Sequence, residues 1–138
     1  IKIMATTTAA FSLSSADLTG DALSLNVSSQ LYKKGTTIGM DSTAGLARQT
    51  SESSSIYTIF AAATYDDDKA SKFYIRNASD PSDSDEVTYS ALLTLGSQAV
   101  GHLGPGDWLF MPWDGTDDVK LTHSTAQSMT IEYMLIYE

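Results

Sequence analysis

Hydrophobic and polar residues alternate with a period of two over much of this 138-residue chain. Side chains of a β-strand point alternately to its two faces, so this period predicts strands that bury one face. No segment shows a 3.6-residue period over three helical turns. We therefore predict an all-β protein of about nine or ten strands. The alternating segments are residues 11–14, 23–31, 73–77, 87–95, 119–121 and 129–137.

Turn residues separate these segments at intervals of roughly 8–12 residues, which is typical of antiparallel sandwiches and barrels. Residues 56–65, IYTIFAAATY, are apolar on both faces and predict a central strand. Residues 129–137 are apolar on both faces in the C-terminal half of the segment, so that strand should be central or covered by a partner. Residues 36–50 are interpreted as irregular strand and loop. The predicted fold class is an antiparallel β-sandwich that is jelly-roll-like.

The predicted domain organisation is a flexible N-terminal segment, residues 1–10, followed by a single β-sandwich domain, residues 11–138. A chain of this length normally forms one domain with a substantial core. Met4 begins a sequence typical of a translation start, which suggests that residues 1–3 are an upstream extension or a processing remnant.

The stretch Leu103 to Gly115, LGPGDWLFMPWDG, combines turn chemistry with both tryptophans of the chain. Its GPGD segment predicts a turn, and the apolar residues after the turn predict a strand. Pro112 lacks a backbone donor, so this strand should end, bulge or lie at an edge there. Trp108 and Trp113 should point to opposite faces, one into the core and one towards a neighbour. Trp113, beside Pro112, is the preferred candidate for the contact surface.

Composition narrows the range of functions. The net charge of −9, from 17 acidic and 8 basic residues, disfavours binding to nucleic acids and anionic membranes. The absence of cysteine excludes disulfides and thiolate chemistry. No apolar run reaches the roughly 20 residues that span a bilayer. We therefore expect neither a nucleic-acid partner nor a membrane partner.

Motifs that carry chemistry are sparse. The chain has neither a G-x-S-x-G motif nor a nucleotide-binding glycine loop. Gly106-Asp107 followed by Pro112 is similar to the second half of a cupin signature, but the metal-binding His-x-His half is absent. A metal-free, cupin-like enzyme would require His102 and His123 to meet in one cleft. The acidic loop of residues 80–86 is interpreted as solvated, with Ca²⁺ binding as the alternative.

Three segments together resemble small structural proteins of tailed bacteriophages. They are Leu103 to Gly115, Asp118 to Leu121 and the final strand Thr130 to Leu135. The resemblance implies a non-enzymatic, β-rich virion protein with no catalytic residues. We also expect no cofactor and no metal, because the chain offers no motif that would hold either. Capsid decoration (cement) proteins, head-fibre or neck components and tail modules all fit it.

The leading hypothesis is a capsid decoration protein on the virion surface. It should self-associate, as a homotrimer, and bind the major capsid protein or another virion protein. Its negative surface would complement a basic patch on the shell. The candidate interface residues are Trp108, Met111, Trp113, Tyr133, Met134 and Tyr137.

The alternative is a fibre, neck or tail module that binds a receptor glycan. In that case Trp113 and exposed tyrosines would form a platform for sugar rings, because aromatic side chains offer large, flat contact areas.

Overall fold

A computed structural model describes residues 5–51, 55–65, 69, 71–80, 82, 90–123 and 128–138. This part of the chain is all-β, with antiparallel sheets, ten strands and one short 3-10 turn, Ala62–Thr64, which confirms the predicted fold class. The strands are β1 Thr8–Ser15, β2 Leu23–Gln30, β3 Ser42–Ser51, β4 Ser55–Phe60, β5 Ser71–Asn77, β6 Ala91–Leu95, β7 Gln98–Leu103, β8 Trp108–Trp113, β9 Val119–His123 and β10 Met129–Tyr137.

The chain divides into two compact units, Ile1–Asp41 and Ser42–Glu138. The predicted boundary after residue 10 falls inside a strand, because Thr8, Ala9 and Ala10 already pair with β2. The first unit is a two-stranded antiparallel ribbon formed by β1 and β2 in an unbroken register of eight pairs. Beyond the ribbon, a bridge between Tyr32 and Gly39 closes a turn.

The second unit contains two four-stranded sheets, with the orders β3-β10-β5-β8 and β4-β9-β6-β7. The pairing is nested: the first of its eight strands pairs with the last, the second with the next to last, and so on inwards. A long hairpin folded over in this way gives the strand order of a jelly roll. The jelly-roll-like prediction for this part of the chain therefore agrees with the observed topology.

Both sheets contribute their inner faces to one hydrophobic core. The strand patterns of β5 and β9 alternate strictly between buried and less buried residues, as expected for strands that face a core on one side. The core residues are Phe60, Phe73, Ile75, Ala91, Leu93, Leu103, Trp113, Val119, Leu121, Met129, Ile131 and Leu135.

The GPGD turn is held by a buried asparagine. Asp107 N–H donates to Gly104 O at 3.0 Å, and Gly106 has φ +83°, as a type II turn requires. Asn77, fully buried at the end of β5, donates its side-chain amide to Leu103 O in the opposite sheet at 3.1 Å. The turn and Asn77 thus tie the two sheets together at this end of the sandwich.

Several strand predictions are tested by this arrangement. β10 is central, between β3 and β5, as predicted, and Pro112 lies on the edge strand β8, also as predicted. The prediction of a central strand over residues 56–65 is wrong, because β4 ends at Phe60 and is an edge strand. The irregular interpretation of residues 36–50 is also wrong in its second half, where β3 is a ten-residue strand. Residues 87–89 of the predicted strand 87–95 lie outside the described residues.

The two tryptophans of β8 provide a matched test of the fold. Trp113 is 5% exposed and Trp108 is 49% exposed, so we expect Trp113→Ala to lower the free energy of unfolding by about 3–5 kcal/mol. Trp108→Ala should lower it by less than about 1 kcal/mol. Urea unfolding followed by circular dichroism measures both values. Equal losses in the two variants would contradict the assignment of the two faces.

Candidate contact surface

The outer face of the sheet β3-β10-β5-β8 carries an apolar row that crosses all four strands. Paired residues of adjacent strands project on the same side of a sheet. Met134 pairs with Leu46 on one side and with Tyr74 on the other, and Tyr74 pairs with Phe110. Leu46 and Phe110 are among the exposed large hydrophobic residues. We call these four side chains the apolar row.

A second row of paired residues lies beside the apolar row and is charged. Glu132 pairs with Arg48 of β3 and with Arg76 of β5, and Arg76 pairs with Trp108 of β8. Arg48 Nε donates to Glu132 Oε2 at 2.7 Å, and the Tyr74 hydroxyl donates to Glu132 Oε1 at 3.0 Å. We call Arg48, Glu132 and Arg76 the charged ladder. Its hydrogen bonds fix the ring of Tyr74 in the apolar row.

The charged ladder determines the protonation of two groups. Hydrogen bonds from Arg48 and then Tyr74 lower the pKa of Glu132, against the opposing effect of its burial. Burial raises the pKa of Tyr74, and its hydrogen bond to Glu132 raises it further. At neutral pH the ladder therefore contains a carboxylate that accepts from both neighbours and a phenol that keeps its proton.

The outer face differs in charge from the chain as a whole. Its strand residues that point outwards include three of the eight basic residues, Arg48, Lys72 and Arg76, against one acidic residue, Glu132. The chain carries a net charge of −9. This face therefore combines an apolar centre with basic neighbours, in a chain that is acidic overall.

The outer face of the other sheet, β4-β9-β6-β7, has no comparable row among the described residues. Ile56 pairs with Thr122, Thr122 with Leu92, and Leu92 with His102. Threonine interrupts the apolar residues there, as expected for a strand face that contacts water. The two sheets therefore share one core but present chemically different outer faces.

The six predicted interface residues divide between the two sides of the sheet β3-β10-β5-β8. Trp108 and Met134 lie on its outer face. The other four, Met111, Trp113, Tyr133 and Tyr137, belong to the core or pack against it.

The role assigned to Trp113 needs correction, because this residue belongs to the core. Its indole Nε1 donates to Asp117 O at 2.9 Å, and its ring contacts those of Phe60 and Tyr65. Burial of the ring inside the aromatic core leaves no surface for a partner. The division between the two tryptophans is as predicted, but Trp108 is the exposed one.

Three members of the apolar row, Leu46, Tyr74 and Phe110, were missed by sequence analysis. Alternation shows which face of its own strand each residue occupies. Only the pairing register shows that the residues of different strands lie beside one another in one row. The sequence did contain one signal for this surface. In Tyr74-x-Arg76 and Trp108-x-Phe110, an aromatic residue stands two positions from a charged or aromatic residue, and residues at this spacing share a strand face.

The two histidines lie on opposite faces of one sheet. His123 is fully buried and shares an inward row with Ala91 and Leu103, whereas His102 is exposed and pairs with Leu92. They do not meet in one cleft, so the geometry that a cupin-like enzyme requires is absent from these two residues.

Metal-binding groups do not converge in the described ranges, where no three His, Cys, Asp or Glu side chains are placed to share an ion. Most of the acidic loop, residues 83–86, lies outside the described residues, so Ca²⁺ binding there stays a prediction. The described part of the chain also contains no apolar helix of membrane-spanning length.

Comparison of the chain with protein-family models, with curated proteins and with solved structures found no match. The resemblance to phage structural proteins therefore stays a sequence-based prediction.

The lowered pKa of Glu132 predicts an acid-dependent stability. The carboxylate favours the folded state above the ordinary glutamate pKa of about 4.3, and this contribution disappears as the pH falls through the lower native pKa. We expect Glu132→Gln to reduce stability at pH 7 and to show a weaker loss of stability than the unmodified chain as the pH falls below about 4.3.

Urea unfolding at a series of pH values measures this dependence. The control is Asp21→Asn, which removes a carboxylate far from the ladder in sequence and in the other compact unit. Parallel pH profiles for the unmodified chain and Glu132→Gln would show that the ladder does not contribute.

Proposed function

We propose that the chain is a non-enzymatic structural protein of a virion, and that the outer face of the sheet β3-β10-β5-β8 binds the protein shell. The apolar row is the observation that carries this proposal. Large exposed hydrophobic side chains in one contiguous patch, bordered by polar residues, are characteristic of protein-interaction sites. The resemblance to phage structural proteins supports a capsid decoration (cement) role at the capsid surface.

The composition of the outer face favours a strong contact. Tryptophan, tyrosine and arginine are enriched among the residues that carry most binding energy at protein interfaces. The outer face presents Trp108, Tyr74, Arg48 and Arg76 in two adjacent rows. The hydrogen bonds that hold Glu132 to Arg48 and Tyr74 order these side chains before binding, which reduces the entropy cost of association.

Charge indicates which kind of partner fits. Two copies of the outer face would bring together two surfaces that each carry three basic residues and one acidic residue, so the face is poorly suited to self-association. A shell protein with an acidic surface would complement it. This replaces the expectation of a basic patch on the shell, which considered only the net charge of the chain.

The experiment uses empty shells assembled from the major capsid protein encoded in the same genome. Two exposed residues on edge strands of different sheets form a matched pair: Leu46 is 62% exposed on the proposed face and Ile56 is 69% exposed on the other outer face. We expect Leu46→Ser and Trp108→Ala each to weaken binding at least tenfold, which corresponds to about 1.4 kcal/mol. Ile56→Ser should leave binding unchanged.

Co-sedimentation of the labelled chain with the shells gives the dissociation constants. If the unmodified chain does not bind, or if Ile56→Ser weakens binding as much as Leu46→Ser does, the proposal fails.

A second candidate function is glycan binding, which the pair Trp108 and Phe110 supports. They are alternate residues of an edge strand, so their exposed side chains lie on one face and their Cα atoms are about 7 Å apart. Two aromatic side chains on one exposed strand face offer the large, flat contact area on which sugar rings stack. Glycan binding would then use Trp108 in place of Trp113, which is buried.

A glycan array probed with the labelled chain tests this alternative. Glycan binding predicts a signal that Phe110→Ala abolishes and that Ile56→Ser preserves. Capsid decoration alone predicts no signal on the array. A signal that depends on added calcium would direct attention to the acidic loop instead.

A further inference from the structure

The ribbon formed by β1 and β2 exposes an apolar face that the proposed shell contact does not use. Phe11 pairs with Val27, and Leu13 pairs with Leu25, so the four side chains form a block on one side of the ribbon. Their exposed fractions lie between 40% and 57%. The opposite side carries mainly serine, threonine and asparagine, as in Ser12 and Asn26, which share a hydrogen bond of 2.8 Å. The ribbon is therefore amphipathic.

An isolated two-stranded ribbon is at best marginally stable in water, because it has no second layer to cover its apolar side. Natural proteins protect exposed strands with charged residues, prolines or bulges. β1 and β2 contain none of these: neither strand has a charged residue or proline, and the eight-pair register has no break. Both strands therefore lack a charge that would oppose the packing of another surface on them, and their exposed apolar side chains favour such packing.

The charges near the ribbon are separated between its two ends. The tip that joins β1 to β2 contains Asp17 and Asp21 and no basic residue. The turn that follows β2 contains Lys33 and Lys34, with Asp41 paired to Lys33 at 2.8 Å. One end of the ribbon is thus acidic, the other has more positive than negative side chains, and the length between them is uncharged.

We propose that the ribbon stacks on the ribbon of a second copy of this chain, apolar face against apolar face and in opposite directions. This orientation brings the acidic tip of each copy to the basic turn of the other, in a closed two-fold contact. The uncharged middle allows two chains of net charge −9 to approach without local repulsion. No other surface described above combines an apolar block with complementary ends.

The contact is pairwise, so by itself it makes a dimer. The homotrimer expected for a capsid decoration protein would require a further contact elsewhere. Four large side chains per copy form an interface at the low end of specific complexes, below roughly 1,200 Å² of buried surface. We therefore expect a reversible dimer with a dissociation constant on the order of micromolar or weaker. The inference does not rest on the proposed function, because it concerns a different unit of the chain.

Sedimentation equilibrium of the full chain across a wide concentration range measures the association. Leu25→Thr with Val27→Thr removes apolar surface and keeps good strand formers, so the ribbon should still form. We expect this double variant to raise the dimer dissociation constant at least tenfold. The control, Asn26→Thr with Ser28→Thr on the other side of β2, should leave it within twofold.

Disulfide trapping tests the orientation and does not depend on the threonine variants. The chain has no cysteine, so every disulfide formed comes from introduced residues. Leu18→Cys marks the tip and Thr37→Cys marks the opposite turn. Mixing the two variants under mild oxidation should give mainly the mixed disulfide, which joins the tip of one copy to the turn of the other. Each variant alone should give little disulfide-linked dimer.

Three outcomes would overturn the inference. The first is a chain that stays monomeric at all concentrations, whatever else the ribbon contacts. The second is an oligomer whose association is unchanged by Leu25→Thr with Val27→Thr. The third is a preference for tip-to-tip disulfides, which would require ribbons that run in the same direction. Leu46→Ser and Trp108→Ala should leave the dimer intact, so failure here is distinguishable from failure of shell binding.

Discussion

Burial of one face of each sheet in a common core is the constraint on which the second unit depends. Successive side chains of a strand point to opposite faces, so every residue next to a core residue on β5, β8 or β10 must point to the outer face. Phe73, Ile75 and Leu135 are fully buried, and this places Tyr74 and Met134 on the surface. The candidate contact surface is thus a direct consequence of the core. A one-residue shift in the register of a strand would turn its core residues to the surface and its surface residues into the core.

The periodicity of the sequence was sufficient for the fold class because the core strands are strongly alternating. It was insufficient at the edges. The inner side of β3 carries Gly45, Ala47 and Gln49, none of which is a large hydrophobic residue. Its register with β10 also shifts between Leu135 and Ile136, so the sequence of β3 looked irregular. β4 appeared central because Tyr57 and Ile59 accompany Ile56, yet Ile56 is exposed on an edge. An apolar edge strand and an apolar central strand have similar sequences. They differ only in whether one or two strands pair with them in the sheet.

The candidate site was less predictable than the fold for the same reason. Trp108 and Met134 could be named from sequence, but the apolar row exists only through the pairing of four strands that are distant along the chain. The choice of Trp113 over Trp108 relied on its position beside Pro112. That choice was wrong, because the ring of Trp113 packs in the core against the rings of Phe60 and Tyr65. The two proposed contacts also differ in character: a basic-bordered face suits an acidic partner, and an uncharged ribbon suits a second copy.

Acrylamide quenching of tryptophan fluorescence tests the central claim, that the outer face of the sheet β3-β10-β5-β8 is the surface that binds a shell. In a Trp113→Phe chain, Trp108 is the only fluorescent tryptophan. The account predicts strong quenching of the free chain and marked protection when empty shells are added. Equal quenching with and without bound shells would contradict it, because a binding surface that includes Trp108 must shield its ring.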